Sequence, residues 1–166
     1  MSGDSAYASY IDASALVKIV ADDADEQPGQ AAIRRYFFRE GVMYTTTFCI
    51  AECLSAFKRK LNPKKIINRS DYIRCVSEFR RLVLPKLRTE DVPLLLPATF
   101  DEALRLVDAY GIDFIDAMQV VTLLRGRFSG LVAGSKSRLI TADRGLARIA
   151  TQSGFTVWEC TTEPAP

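Results

Sequence analysis

The sequence predicts an α/β fold, a three-layer sandwich in which helices cover both faces of a central parallel sheet. Short β-prone runs alternate with segments whose apolar residues recur at helical spacing. Two of these runs end at an aspartate, Asp12 and Asp143, and each leads directly into a helical segment. The 166 residues, 48% of them hydrophobic and 25% charged, suit one globular domain with its own core. We expect residues 1–160 to form that domain and residues 161–166 to be a disordered tail.

The first half of the chain predicts two strands that alternate with helices. Gly41 and Asn62-Pro63 are breakers that end the second and third helices, and Thr46 or Thr47 can cap the third. The predicted strands cover residues 7–11 and 42–45, and the predicted helices cover residues 13–20, 30–39 and 48–61.

The second half begins with Ser70, which is predicted to cap a helix that pairs with the preceding one as an extended helical hairpin. Thr99 and Glu102 match a capping box, and Gly111 should end the helix that this box opens. Residues 92–96, between two prolines, are at best a short edge strand. The predicted helices cover residues 71–84, 99–110, 113–125 and 145–152, the strands residues 138–142 and 155–158, and a loop residues 126–136.

The residue types exclude several kinds of chemistry. The chain has no histidine, which excludes Ser-His-Asp and Cys-His catalysis and every histidine-ligated metal centre. It also lacks the glycine pattern of a nucleotide-binding loop. Without a membrane-length apolar run or a signal peptide, we expect a cytosolic protein. The cysteines lack CxxC spacing and favour buried apolar positions over a zinc site; they are Cys49, Cys53, Cys75 and Cys160.

Positive charge is concentrated in one segment. Residues 58–88 hold eleven Lys or Arg against Asp71 and Glu78, a charge of +9, so the rest of a chain of total charge +2 carries −7. Such a segment is typical of a surface that binds a polyanion, although a solvated helix face has the same composition. The candidate contacts are Lys58, Lys60, Lys64, Lys65, Arg80 and Arg81.

Two carboxylates begin a strongly apolar helical segment. Asp113 and Asp116 lie three residues apart and therefore on one helix face. Asp113 can cap the helix by accepting a hydrogen bond from the backbone near Asp116. The apolar neighbours of Asp116 should draw it inward, where a carboxylate needs a cationic partner. That partner is either an arginine or a metal ion.

Three other acids are candidates for the same site. Asp12 and Asp143 each follow a strand, and α/β folds bind their ligands at the carboxyl edge of the sheet. Glu52 lies in the first half of a helix between apolar residues. Two of these acids have simpler explanations, Asp12 as an N-cap and Glu52 as an exposed acid near a helix start.

Acids gathered at one sheet edge would repel one another unless a divalent cation neutralised them. Carboxylate ligands select Mg²⁺ or Mn²⁺, and such an ion activates water for attack on a phosphodiester without any histidine. With residues 58–88 to follow a nucleic-acid backbone, the residues predict a metal-dependent nuclease. The four acids are Asp12, Glu52, Asp116 and Asp143.

The order of these motifs resembles the PIN domain, especially the VapC-type ribonuclease toxins of type II toxin-antitoxin systems. The motifs are Tyr-Ile-Asp-Ala-Ser-Ala-Leu around Asp12, Ile-Ala-Glu-Cys-Leu around Glu52, Ile-Asp-Ala-Met around Asp116 and Leu-Ile-Thr-Ala-Asp-Arg around Asp143. The resemblance covers residues 7–158. It implies a PIN-like fold, Mg²⁺ or Mn²⁺ at these four acids, cleavage of single-stranded RNA, a homodimer, and neutralisation by a cognate antitoxin protein. It also implies supporting hydroxyls near the site, on Ser14 and Thr141.

Two features depart from the family pattern. Position 113 is often not acidic, so Asp113 is either a fifth metal ligand or only a cap. Residues 58–96 are longer than a compact toxin needs and would form an RNA arm, an antitoxin surface or a dimer surface. Two other functions stay open, a PIN fold that binds RNA or acts as a scaffold, and a haloacid-dehalogenase-type phosphatase. The phosphatase would need a second aspartate two residues after Asp12, where this chain has Ser14.

Overall fold

The computed structural model describes residues 8–131 and 137–166. Predictions for residues 1–7 and 132–136, which include the start of the first strand and the end of the loop over residues 126–136, lie outside the described residues. The strands are β1 (Ser9–Ile11), β2 (Met43–Thr45), β3 (Leu87–Thr89), β4 (Arg138–Thr141) and β5 (Val157–Glu159). The α-helices are α1 (Ala13–Val20), α2 (Gln27–Arg39), α3 (Thr47–Leu61), α4 (Arg69–Glu78), α5 (Pro97–Tyr110), α6 (Phe114–Arg125) and α7 (Arg144–Gln152).

The five strands form one parallel sheet in the order β3-β2-β1-β4-β5. In the centre, Tyr10 of β1 pairs with Tyr44 of β2 on one side and with Leu139 of β4 on the other. The chain builds outward through β2 and β3, then crosses back to add β4 and β5, so the strand order reverses between β1 and β4. Helices supply the crossovers that parallel strands need. The predicted α/β class with a central parallel sheet is confirmed.

The main core lies against both faces of the central strands. Tyr10, Ile11, Leu139 and Ile140 are fully buried, as expected of parallel strands covered on both sides. A smaller cluster between α5 and α6 is built around Ala103, Ala117, Met118 and Val121. The four cysteines are free and buried, as predicted. Within the described residues, no helix is both long and apolar enough to cross a membrane.

The predicted helical hairpin is formed by α3 and α4. The rings of Phe57 and Phe79 are buried with their centroids 6.0 Å apart. Beyond α4 the chain continues through a π-helical turn, Phe79–Val83. The predicted Ser70 cap is wrong, because Asn68 is the N-cap and forms a capping box with Asp71. The helix therefore begins at Arg69.

The edge of the sheet differs from the prediction. Residues 92–96 form no strand, and the edge strand is instead Leu87–Thr89, which pairs with β2. Val92 and Leu94 pack against the smaller cluster between α5 and α6. A three-residue strand inside a run of basic residues has too little alternation for its sequence to indicate it.

Helix α5 also begins earlier than predicted. Its first residue is Pro97, which has a preset φ and no N–H to leave unpaired, and the Leu96 side chain makes no capping hydrogen bond. Thr99 is buried inside the first turn and does not cap the helix. Gly111 ends α5 in the left-handed conformation with φ at 65°, as predicted.

Candidate active site

The candidate site lies where the strand order reverses. Ligands of open α/β sheets bind in the crevice outside the carboxyl ends of the two strands that flank such a reversal. Here those strands are β1 and β4, and the chain places Asp12 directly after β1 and Asp143 two residues after β4. The Asp12 N–H donates to the Ile140 carbonyl at 3.0 Å, which continues the pairing of β1 with β4 into the site.

Asp12 is the most firmly held of the acids. Its side chain is only 3% exposed and accepts hydrogen bonds from the backbone N–H groups of Ala13 (2.6 Å) and Ser14 (3.2 Å). The hydroxyls of Ser14 (2.5 Å) and Thr141 (2.9 Å) donate to its Oδ2. Burial raises the pKa of Asp12, and these four hydrogen bonds oppose that rise. Asp12 is thus both the N-cap of α1 and a buried carboxylate at the site.

Ser14 and Thr141 connect the two central strands around Asp12. The Ala142 N–H donates to Ser14 Oγ at 2.9 Å, and the Asp143 N–H donates to Thr141 Oγ1 at 3.0 Å. The two hydroxyl oxygens lie 3.2 Å apart. These residues, expected only near the site, contact Asp12 directly and fix the backbone that leads to Asp143.

Asp143 and Asp113 each cap a helix that starts at the site. Asp143 Oδ1 accepts from the Leu146 N–H at 2.9 Å, and Asp113 Oδ1 accepts from the Asp116 N–H at 2.9 Å. Both side chains are exposed. The cap proposed for Asp113 is therefore observed, and Asp143 unexpectedly makes the same kind of contact.

Asp116 lies in the first turn of α6 and is partly buried. Its pKa is raised to about 7, first by burial and then by the charges of Asp113, Asp12, Asp143 and Glu52, in that order. In the described part of the chain, Asp116 forms no ion pair. The arginine considered as its partner is therefore not observed.

Glu52 faces the same acids from the second turn of α3. Its pKa is raised to about 7, first by burial and then by the charges of Asp12 and Asp113, while Arg59 lowers it. Its Oε2 is buried and has no hydrogen-bond partner among the described residues. An orphaned buried carboxylate oxygen is costly, so Glu52 is suited to a cation.

The donor set suits a hard cation that keeps part of its water shell. Five acids influence one another at this edge, and carboxylate oxygens are the ligands of Mg²⁺ and Mn²⁺. Within the residues described, however, no three of them converge closely enough to hold an ion directly. Asp12, Asp113 and Asp143 each point at least one oxygen at a backbone N–H group. A cation bound through one or two carboxylates and several waters fits this arrangement.

The basic candidates do not all face solvent. Lys58, Lys64, Lys65, Arg80 and Arg81 are exposed. The prediction for Lys60 is wrong, because Lys60 is only 7% exposed and its Nζ contacts Asp23 Oδ1 at 2.7 Å and Glu26 Oε1 at 2.8 Å. Burial alone would lower the pKa of Lys60, but the hydrogen bonds to these two carboxylates raise it. The ammonium group of Lys60 is therefore used in buried ion pairs that stabilise the fold.

A cavity of about 320 Å³ adjoins the acids between α1 and α3. Ser14 and Glu52 line it where it meets the site, and Arg59 and Lys64 line it where it meets solvent. Sequence reasoning did not single out Arg59. The indication was present in the spacing, because Arg59 follows Glu52 by seven residues and lies on the same face of α3.

Comparisons with known proteins agree with this architecture. Residues 9–152 match the sequence model of the PIN domain. No curated protein matches the sequence. The solved structure of PAE2754 from Pyrobaculum aerophilum has a TM-score of 0.59 and 22% identity, covering 93% of this chain and 92% of that one. The structure of FitAcB from Neisseria gonorrhoeae has a TM-score of 0.57 and 13% identity, covering 93% and 99%. At such identities the likeness concerns the fold.

Proposed function

The chain belongs to the PIN domain family, whose members are generally nucleases, and from this premise we propose that it is a metal-dependent endoribonuclease that cleaves single-stranded RNA. The proposal includes the role of toxin in a toxin-antitoxin pair, acting as a homodimer and neutralised by a cognate antitoxin. Its main support is the group of mutually repelling carboxylates at the carboxyl edge of the sheet, to which no Lys or Arg of the described chain is ion-paired. Membership of the PIN domain family argues against the alternative of a haloacid-dehalogenase-type phosphatase.

Nucleases of this family generally use divalent metal ions. The acids proposed to hold Mg²⁺ or Mn²⁺, one or two of them directly and the others through water, are Asp12, Glu52, Asp116 and Asp143, with Asp113 acting as a helix cap. When bound, such an ion supplies a water of lowered pKa and stabilises the charge that develops on a scissile phosphate.

The residues of the chain divide the remaining work. The four hydrogen bonds to Asp12 fix its carboxylate as the rigid part of the site. Ser14 and Thr141 orient that carboxylate and join β1 to β4 around it. Glu52 and Asp116 are partly protonated near neutral pH because of their raised pKa values. Both must lose that proton to ligate a cation, so loading of the site should release protons.

The test of activity is cleavage of a labelled single-stranded RNA by the full chain, with Mn²⁺ or Mg²⁺ and with EDTA. We expect cleavage with metal only, and no cleavage of a duplex of the same sequence. Asp116→Asn and Glu52→Gln should each reduce the rate by at least about 100-fold, since even supporting residues of metal sites cost up to that much. The matched control is Asp108→Asn, an exposed acid on α5, which should cleave at the wild-type rate.

A second test measures metal binding without any substrate. Thermal unfolding across a Mn²⁺ titration should show wild-type stabilisation of about 2.7 kcal/mol at roughly 100 times the dissociation constant, and much less in Asp116→Asn. Stabilisation without cleavage of any RNA would identify a PIN-fold binding module. If Mn²⁺ does not stabilise the protein and no RNA is cleaved, the proposed nuclease is contradicted.

A further inference from the structure

The cavity between α1 and α3 has features that the four acids do not explain. It opens at the acids, where Ser14 and Glu52 line it, and it extends along α3 past Ala56 toward Arg59 and Lys64. Glu52, Ala56 and Arg59 follow one another at four and three residues, so one face of α3 forms the wall. A group that enters the cavity from the site therefore passes along this helix face.

The floor of the cavity is a closed network of opposite charges. Lys18 Nζ contacts Glu26 Oε2 at 3.1 Å, and Lys60 Nζ contacts Glu26 Oε1 at 2.8 Å and Asp23 Oδ1 at 2.7 Å. Lys18, Lys60 and Glu26 are each at least nine-tenths buried. Asp25 also lines the cavity, with its Oδ2 4.0 Å from Lys60 Nζ, so the floor carries three carboxylates against two ammonium groups and does not attract an anion.

The outer end of the cavity is positively charged. Arg59 and Lys64 line it, both are exposed, and neither forms an ion pair within residues 8–131 and 137–166. The backbone N–H of Lys64 donates to the backbone carbonyl of Arg59 at 3.2 Å, which joins the two residues through the main chain. A guanidinium and an ammonium group that line the same cavity suit a phosphate.

The size of the cavity limits its occupant. About 320 Å³ is at the lower end of the range for small-molecule sites and is enough for a single nucleotide. The acids at one end and the cations at the other give the cavity a direction that matches a nucleotide whose neighbouring phosphate lies at the acids.

We propose that this cavity holds one nucleotide of the RNA strand next to the scissile phosphate, with Arg59 and Lys64 binding the phosphate on its far side. The inference rests on the proposed ribonuclease function and names a substrate subsite for it. Arg59 and Lys64 are then binding residues that position the strand beside the cleaved bond through its phosphate.

The test uses the full chain without metal and the four nucleoside 5′-monophosphates as probes, with binding followed by backbone amide NMR shifts and by calorimetry. We expect at least one nucleotide to bind with shifts concentrated in α1, α3 and Lys64. Arg59→Gln and Lys64→Gln should each weaken it about tenfold, the usual effect of losing one charge-assisted contact. Arg35→Gln, at an exposed arginine on α2, is the matched control and should bind as wild type does.

A second variant separates a pocket from general surface attraction. Ala56→Leu fills the cavity without changing any charge, and we expect it to abolish nucleotide binding while thermal unfolding confirms the fold. Binding that survives Ala56→Leu, or that is the same in Arg59→Gln and wild type, would overturn the inference. Binding of N-acetylarginine amide in place of the nucleotides would also overturn it, because the cavity would then accept a basic protein side chain.

Failure of this inference can be told apart from failure of the proposed function. If RNA is cleaved but the variants of Arg59, Lys64 and Ala56 cleave it with unchanged KM, the nuclease stands and the subsite does not. If nucleotides bind as expected but no RNA is cleaved under any metal condition, the subsite stands and the nuclease does not.

Discussion

At the scale of single residues, the acids of the site differ in how their charge is compensated. Asp12 is the most buried and has four hydrogen-bond donors. Glu52 and Asp116 are less buried, but no cation of the described chain pairs with them, and their pKa values rise to about 7. The Asp12 carboxylate is therefore preorganised by its hydrogen bonds. The charges of Glu52 and Asp116 are instead compensated by a proton or by a bound cation.

The raised pKa of Asp116 has a consequence for stability. The folded protein binds this proton more tightly than the unfolded chain does, because the pKa is about 7 in the fold against 3.8 for an ordinary aspartate. The resulting stabilisation is complete below about pH 4 and is lost as the pH rises through about 7. In EDTA we expect the wild-type melting temperature to fall from about pH 5 to about pH 8. Asp116→Asn cannot ionise and should reduce that fall, as measured by thermal unfolding across this range.

The control for this prediction is Asp108→Asn, which should show the full wild-type fall in melting temperature between the same two pH values. An Asp116→Asn protein that fails to fold would contradict this prediction, because it would mean that the Asp116 carboxylate stabilises the fold. Saturating Mn²⁺ should remove the difference between low and high pH in wild type, because a bound cation compensates the ionised carboxylates.

At the scale of elements, helix α3 places groups with three different roles on neighbouring positions. Glu52 reaches the acids, Arg59 reaches the outer end of the cavity, and Lys60 is buried in the ion network beneath it. The basic run Lys58-Arg59-Lys60 is uniform in sequence, but helical rotation sends each side chain in a different direction. Charge counting along the sequence cannot distinguish them.

The buried network predicts a large loss of stability on removal of Lys60. Lys60→Met leaves Asp23 without a cationic contact at a nearly buried position. We expect the free energy of unfolding to fall by about 3 kcal/mol, as found when one partner of a buried ion pair is deleted. Urea denaturation measures this change.

Lys58→Met is the neighbouring control for Lys60→Met. Lys58 is exposed, and its Nζ lies 5.8 Å from the centroid of the Tyr72 ring, so we expect a loss under about 1 kcal/mol. Equal effects of the two substitutions would mean that the ion network contributes no more than a surface contact.

The hairpin of α3 and α4 carries the prediction for an RNA arm. Arg80 and Arg81 are exposed on the turn Phe79–Val83 and form no ion pair within the described chain. Changing both to Glu should weaken binding of single-stranded RNA to the Asp116→Asn protein. The slope of log affinity against log salt should become shallower by about 1.4, since each lost phosphate contact on a single strand accounts for about 0.7.

A pair of exposed arginines elsewhere serves as the control for the RNA arm. Arg35→Glu with Arg105→Glu makes the same change of charge on α2 and α5, and we expect it to leave the salt slope as in wild type. If the slope of log affinity against log salt does not change in the Arg80 and Arg81 variant, the hairpin does not bind RNA. It would then be a protein-binding surface.

At the scale of the whole molecule, the surface has an acidic edge, a basic hairpin and an apolar patch. The patch is formed at the start of α5 by Leu95, which is 95% exposed, and by Leu96, Phe100 and Leu104. The last three are spaced four residues apart and so share one face of the chain as it enters and follows α5. Exposed apolar patches of this kind mark interaction surfaces, and the proposed homodimer would cover it.

The patch predicts the effect of charge on oligomeric state. We expect sedimentation velocity to give wild type a mass of twice the 18.5 kDa of one chain. Leu95→Asp with Leu104→Asp should give the mass of one chain, because both side chains are exposed and a paired interface would have to bury the new charges. Ile73→Asp, at an exposed apolar residue of α4, should remain dimeric. A monomeric wild type would contradict the homodimer.

The sequence by itself determined the fold class, most of the helices and strands, and which acids could serve the site. Strands that alternate with helices predict a parallel sheet. The short apolar runs before Asp12 and Asp143 predict strands, so both residues were expected at strand ends. Gly111 and Asp113 acted as the predicted stop and start of neighbouring helices, since these depend on local backbone geometry alone. The sequence failed at the edge strand β3 and at the caps Ser70 and Thr99, where several local solutions are nearly equal and packing selects one.

Only the tertiary structure decided which charges are free and which are used by the fold. It buried Lys60 in the ion network and left Arg59 beside it unpaired. It also brought Thr141 to Asp12 across 129 positions of sequence. The physical reason is that desolvation and ion pairing depend on distances between elements far apart in the chain, which residue types and local spacing do not specify.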